Sequence, residues 1–348
     1  MSPTAIHRQP KLAPVRRLMR VSVLGLNDSE LGVSCNAIGS WVVRDPAIAQ
    51  VRHGERSGLA TMLALYCEEE EMSEFSTIVY AVTDQVARIT LNRVDVRNAQ
   101  DKAMLYELND AFDLAAQDDD VKVIVLDANG PHFSSGHDLA DQTTMADFQP
   151  VSNWGGYGKP GAEGYQSQEE EIYLGLCWRW RNLPKPTIAQ VHGKVIAGGL
   201  MLIWVCDLII AADDATFSDP VVAFGVNGVE YFAHPWEMGP RKAKELLFTG
   251  DKITADEAKA LGMVNHVVPR ETLRDFTQTM ASRIASRPSM GLRLAKQSVN
   301  QAQDAQGFWT ALQGAMSLQQ LGHANNQIVH GRLVDPAGVQ VIRDDAKR

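Results

Sequence analysis

Three observations predict an α/β fold with parallel strands and crossover connections. Val121 to Asp127 (VKVIVLD) is a continuous β-branched run, as in a strand buried on both faces. A second short apolar run spans Pro186 to His192, and segments of helical period alternate with these strands. Each run also leads into a Gly-bearing loop, Asn129 to Asp138 and His192 to Gly199, where a helix begins. Strands alternating with helices in this way fold as parallel sheets with right-handed crossovers.

In chain order, TIVYAV and VARITLN alternate apolar and polar residues about a polar turn at Thr83-Asp84-Gln85, which predicts a half-exposed hairpin. AMLYELNDAFDLAAQ follows with helical spacing behind Asp101, a candidate N-cap. Gly155 to Gln166 reads as a long loop, and Glu169 to Asn182 as a helix with aromatic positions at Tyr173, Trp178 and Trp180. Gly198 opens another helix, and after Pro235 the chain is mainly helical, through Thr254 to Gly262 and on toward Leu321. Trp178, Trp180 and Trp204 lie in apolar stretches and are expected in the core.

The composition sets the class. With 348 residues, 45% hydrophobic and 22% charged, the chain has material for a substantial core, which excludes a disordered or collagen-like chain. A net charge of -9 gives no general attraction to nucleic acid or anionic lipid, so neither partner is expected. Four scattered cysteines, Cys35, Cys67, Cys177 and Cys206, form no CxxC pair, so no metal site is expected and a reducing cytoplasm is the natural compartment. The apolar run from Val195 to Ala212 carries Asp207, whose burial in lipid would cost roughly 2.5–3.5 kcal/mol on insertion scales. It is expected to form a buried helix and then a parallel strand, not a membrane span.

Residues 1–71 show no sustained period, and Glu68 to Glu71 immediately precede Met72. Glutamate codons are purine-rich, as a bacterial ribosome-binding site is, so the natural start is expected at Met72 and residues 1–71 are expected to be a disordered extension or an artefact. The organisation expected is an extension at 1–71, a core at 72–269 and a helical C-terminal region at 270–348.

The loops FSSGHDL (Phe133 to Leu139) and HGKVIAGG (His192 to Gly199) carry the candidate chemistry. Unpaired N–H groups at helix starts point outward, and two of them converging on one oxygen form an oxyanion hole, with glycine permitting close approach. At these residues the sequence resembles the enoyl-CoA hydratase/isomerase (crotonase) superfamily. The likeness runs in order through ITLNRVDVRNAQ (Ile89 to Gln100), FSSGHDL, VHGKVIAGGLMLIWVCDLIIA, ATFSDP and KAKELLFTGDKITADEAKALGMVNHVVP, which ends at Pro269. It implies a spiral of ββα units with a helical C-terminal region for oligomerisation and pocket closure. It also implies an acyl-CoA thioester as substrate, no other cofactor, and a homotrimer or dimer of trimers.

By position, the resemblance assigns the oxyanion donors to the N–H groups of His137 and Gly198. It places Arg97, Asn98, Ala99, Ser135, Gly136, Asp138 and Gly199 around the CoA moiety and hole. Some relatives also carry a histidine at the position of His137, and there the amide is the functional group. The family's two catalytic glutamates fall at Met201 and Val221, and neither of these can transfer a proton. Glu230 is therefore the candidate replacement base. If its stretch is helical, it shares a face with His234, though a solvated Glu230 and a structural His234 are the blander expectation. Asp138 is expected to N-cap a following helix, and Asp219 to turn the backbone ahead of Pro220. The implied function is an acyl-CoA enzyme acting through a stabilised enolate. Decarboxylation or carbon–carbon cleavage on the same fold, and a non-catalytic acyl-CoA binder, are the alternatives.

Overall fold

The computed structural model describes residues 75–345 and, of residues 1–74, only the backbone of β1 (Val33–Cys35) and β2 (Trp41–Val43), which pair antiparallel. Apart from that short pair, the expectations for residues 1–71, including a start at Met72, lie outside the described residues. The chain divides into two units, Met1–Glu74 and Phe75–Arg348.

The second unit opens with the expected hairpin, β3 (Ile78–Thr83) and β4 (Val86–Leu91). Asp84 (φ 49°) and Gln85 (φ 67°) both take left-handed backbone, whose twist matches a two-residue hairpin turn. Helix α1 (Lys102–Gln117) follows, and its N-cap Asp101 accepts a 2.8 Å hydrogen bond from the Met104 N–H.

A six-stranded sheet is built from β3, β4, β5 (Val123–Ala128), β6 (Thr187–Val191), β8 (Leu208–Ala212) and β11 (His266–Val268), in the order β11-β8-β6-β5-β4-β3. Only the β3–β4 pair is antiparallel. A smaller sheet, in the order β10-β9-β7, contains β7 (Lys194–Ile196), β9 (Thr216–Ser218) and β10 (Ile253–Thr254). Single bridges extend it from Val195 to Ser134, and pair His137 with Gln100. Successive large-sheet strands thus each run into a segment of the smaller layer: β4 to Gln100, β5 to Ser134, β6 to β7 and β8 to β9. This repetition is the spiral of units that the resemblance implies, and α4 (Gly198–Trp204) leaves its third turn.

Both faces of the large sheet are covered. Helix α7 (Leu273–Ala285) sets Leu273, Ala281 and Ala285 against Val86, Val123, Val125, Ile188 and Ile210. This cover corrects the expected half-exposed β4, all of whose residues are buried. Its polar Arg88 is consumed internally by Asp127 at 2.5 Å, Gln190 at 3.1 Å and Gln278 of α7 at 3.2 Å.

The expected loop at 155–166 is shorter. Helix α2 (Ala162–Glu169) starts there and continues through a π-helical turn, Glu170–Gly175, into α3 (Leu176–Arg181). Gly164 disguised it. A Cβ on Gly164 would lie 2.0 Å from the Lys159 carbonyl oxygen, and one on Gly175 2.5 Å from that of Glu170. Backbone packing requires both, and the low helix propensity of Gly164 makes the first turns of the helix read as loop, whereas Gly175 falls within the helix expected over Glu169 to Asn182.

The remaining helices are α5 (His234–Thr249), α6 (Ala255–Leu261), α8 (Ser289–Ala305), α9 (Phe308–His330) and α10 (Gly338–Asp345). Residues 195–212 divide into the end of β7, then α4 and β8, as expected. Asp207 between them accepts from the Thr187 N–H at 2.8 Å and pairs with Lys296 at 2.9 Å. Among the described residues no helix is long and apolar enough to cross a membrane. Trp180 and Trp204 are buried and Trp178 is half-buried against Trp309.

Candidate functional site

The two candidate loops lie side by side because they occupy adjacent turns of the spiral. The Gln100 N–H donates to the Gly136 carbonyl at 2.8 Å, and the Asp138 N–H donates to the Gln100 carbonyl at 2.8 Å. In such a bridge the intervening His137 turns its own N–H away from Gln100. The Ser134 hydroxyl fastens the loop by donating to the Asn98 carbonyl at 2.8 Å and accepting from Gln100 Nε2 at 3.1 Å. On the neighbouring turn, Ala197 is held at φ 48°, ψ -116°, a conformation costly for a residue with a Cβ, immediately before Gly198 begins α4. Among the described residues the N–H groups of His137 and Gly198 have no hydrogen-bond acceptor. Gly136, at φ 91°, permits the approach: a Cβ there would meet the Ile196 carbonyl oxygen at 2.9 Å and the Gly198 nitrogen at 3.3 Å.

The His137 imidazole stands over this junction. Its Nε2 is 3.0 Å from Glu230 Oε2, and its ring stacks on Tyr173 with centroids 4.0 Å apart. A Cβ on Gly198 would fall 2.7 Å from His137 Nδ1 and 2.9 Å from Gln100 Oε1, two buried atoms without a partner. Burial works to lower the pKa of His137, but the charge and hydrogen bond of Glu230 outweigh it, and the net displacement is upward. The sequence reading assigned the amide alone, because a linear motif does not reveal that Glu230 arrives beside the ring.

Glu230 is neither solvated nor helical. It is 6% exposed and lies in a bend ahead of α5, so it shares no helix face with His234. Its Oε1 accepts from Gln319 Nε2 of α9 at 3.3 Å. Behind Gln319, His323 Nε2 lies 3.0 Å from Glu169 Oε1, and Gln320 donates to Glu169 Oε2 at 2.5 Å. Burial and the nearby Glu230 push the pKa of Glu169 up. Burial would lower His323, yet its hydrogen bond to Glu169 and that residue's charge lift it to about 9. His234 is structural, as expected: wholly buried, it pairs with Asp219 at 2.8 Å. Asp219 also turns the backbone, accepting from the N–H groups of Val221 at 3.3 Å and Val229 at 3.0 Å.

Met201 is fully buried and Val221 half-buried, so the two expected carboxylate positions are apolar in space as well as in sequence. Asn98 and Ala99 are buried, and Asn98 holds the carbonyls of Asn129 and His132 at 2.9 and 3.1 Å. Arg97 is exposed at φ 55°, Ser135 packs beside it with its N–H on the Arg97 carbonyl at 3.0 Å, and Gly199 is buried against Ser134. Asp138 caps no helix, since none follows. It accepts from the Ala140 N–H at 3.0 Å and pairs with Arg93 at 3.0 Å.

The sequence reading missed Glu169, Gln319 and His323. The available signal was a polar stripe, Gln319, Gln320, His323 and Asn326, on the same buried face of α9 as Leu312, Ala315 and Met316. Among the described residues no group of three or more His, Cys, Asp or Glu is disposed to hold a metal ion.

The family model for enoyl-CoA hydratase/isomerase matches residues 82–332. EchA13 of Mycobacterium tuberculosis, named for enoyl-CoA hydratase, is 49% identical over 270 residues, which is 75% of this chain and 85% of that protein. The crotonyl-CoA hydratase of Syntrophomonas wolfei is 30% identical over 250 residues, 70% of this chain and 87% of that protein. A crystal structure from Mycobacterium smegmatis, named for enoyl-CoA hydratase, superposes with a TM-score of 0.68 at 49% identity, covering 74% of this chain and 99% of that one. The chain belongs to the enoyl-CoA hydratase/isomerase family.

Proposed function

We propose that this chain processes an acyl-CoA by stabilising its thioester enolate between the N–H groups of His137 and Gly198, with the His137 imidazole moving the proton. The carrying observation is the coincidence of two acceptor-free amides with an imidazole whose Nε2 is held by Glu230. The thioester oxygen accepts both N–H groups as it gains negative charge, each donor contributing roughly 2.7–4 kcal/mol. With neutral imidazole, Nε2–H donates to Glu230 and leaves the Nδ1 lone pair to take a proton from the acyl α-carbon. The electron pair of that C–H bond passes to the thioester oxygen, and protonated His137 returns the proton to the product. Glu230 thus acts through His137 as a positioning residue.

Met201 and Val221 leave no carboxylate pair at the positions hydration uses in relatives, so decarboxylation or carbon–carbon cleavage through the same enolate is favoured over hydration. Arg97, Asn98, Ala99, Ser135, Gly136, Asp138 and Gly199 frame the CoA, with exposed Arg97 available to a phosphate. The reading includes a cytoplasmic homotrimer or dimer of trimers without further cofactor. Leu318, Leu321, Ile328 and Val329, exposed apolar residues of α9, support self-association.

The test follows crotonyl-CoA hydration by loss of the conjugated thioester absorbance, and α-proton exchange of butyryl-CoA in D2O by NMR, both on the full chain. Exchange with little hydration is the expected result. Binding without exchange favours the second reading, an acyl-CoA binder, to which the buried Met201 points. Absence of both binding and exchange overturns the proposal.

A further inference from the structure

Helix α9 lies beyond the loops that carry the family likeness, yet it reaches the back of Glu230. Among the described residues Oε1 of Glu230 accepts only from the Gln319 amide, and Oε2 meets only His137 Nε2. No backbone N–H holds this carboxylate among the described residues, in contrast to Asp219, which has two. A buried carboxylate carried by side chains alone takes its position from them. Gln319, 3% exposed, lies beside His323, with the two Nε2 atoms 3.5 Å apart, and His323 is itself locked between Glu169 at 3.0 Å and the Leu333 carbonyl at 2.8 Å. The Glu169–His323 pair joins α2 to α9, and His323 and Gln320 also line a cavity of about 200 Å³ with Gly161, Tyr165 and Ala324.

We propose that Gln319, set on α9 beside the Glu169–His323 pair, is the positioning residue that holds Glu230 on His137 and so sets where the dyad titrates. This rests on the reading of Glu230 and His137 given above. The titratable groups facing the dyad are Tyr173 and Glu169 from the α2 to α3 helix, Cys177 from α3, Asp219 from the turn after β9, and His323 from α9. Each of the three carboxylates has one imidazole: Glu230 with His137, Glu169 with His323, Asp219 with His234. Gln319 is the uncharged donor between the first two pairs. Removing it leaves the Glu230 anion without one of its two hydrogen bonds, and most so when His137 has lost its proton. The dyad then holds its proton to higher pH.

The experiment is an NMR titration of the imidazole signals in the full chain, wild type against Gln319→Leu and Gln319→Met, with Glu230→Gln as reference. The methionine variant is unbranched and close in length, so it tests the amide even if leucine disturbs the fold. The expected result is a His137 titration moved to higher pH in both variants, with the His234 signal unmoved, and a rate of α-proton exchange about tenfold lower with little change in KM. A His137 titration moved by Glu230→Gln but untouched in the Gln319 variants overturns this inference and leaves the dyad standing. A His137 titration that ignores Glu230→Gln overturns the dyad itself.

Discussion

Asp219–His234 and Glu230–His137 are the same chemical pair at nearly the same distance, 2.8 and 3.0 Å, in two different frames. Asp219 is tied to two backbone N–H groups, its histidine is packed between Trp204 and Phe232, and neither side chain is exposed. Among the described residues Glu230 is held by side chains only, and the His137 side chain keeps 16% of its surface beside two amides without an acceptor. The first pair is fixed by the backbone and supports the turn from β9 to α5. The second is held by side chains and stands beside the N–H groups of His137 and Gly198. A histidine–carboxylate pair therefore reveals its role through what holds the carboxylate.

The largest expected effect separates the two pairs by function. Glu230→Gln should lower α-proton exchange by about 10²–10⁴-fold, the range typical of a positioned acid–base group, and change stability by no more than about 1 kcal/mol. Asp219→Ala should do the reverse in kind. It strands His234 and two buried N–H groups, so urea unfolding should register a loss of about 3–5 kcal/mol. A stable Asp219→Ala enzyme that has lost only activity would break the distinction.

Gly136→Ala tests the junction beneath His137. At φ 91°, with its Cβ directed at the Ile196 carbonyl, the alanine should push the two loops apart. A fall of about 10²–10³-fold in exchange is expected, with acyl-CoA affinity, measured by calorimetry, reduced far less.

Stability against pH sharpens the comparison next. His137 and His323 titrate higher when folded than the ordinary value near 6.5, His323 at about 9. Their contribution is therefore complete below about pH 6.5 and is lost as pH rises through the folded values. Unfolding free energy should fall between pH 6.5 and 9.5, by at most about 3 kcal/mol for His323, and His323→Gln should flatten the curve. A wild-type curve flat over this range contradicts the assignment. The smallest effect is a control: Asp101→Ala removes an ordinary helix cap from α1, should cost about 1 kcal/mol in urea unfolding, and should leave exchange intact.

Local chemistry made much of the fold legible. Asp101 before α1, the Asp84-Gln85 turn, and the β-branched run of β5 act through neighbours in sequence, and each formed as its residues predict. Where a glycine served packing instead of a turn, as at Gly164, local propensity pointed to a loop and the structure has a helix. Arg88 in β4 is covered by α7, nearly 200 residues later in the chain, a contact that no local pattern encodes.

The site divides along the same line. His137 and Gly198 stood out because each occupies a short glycine-bearing loop encoded within a few residues, and Met201 and Val221 because the family likeness aligns them with two glutamates. Sequence alone thus determined the α/β class, the two loops and their family likeness. Only the tertiary structure decided that Glu230 reaches the His137 ring, that Asp219 takes His234, and that Gln319, His323 and Glu169 close behind them. Asp219 and His234 are 15 positions apart, and the other contacts join residues about 90 to 150 positions apart. No local spacing encodes which buried carboxylate meets which imidazole, because packing of the spiral against α2 and α9 selects the partners.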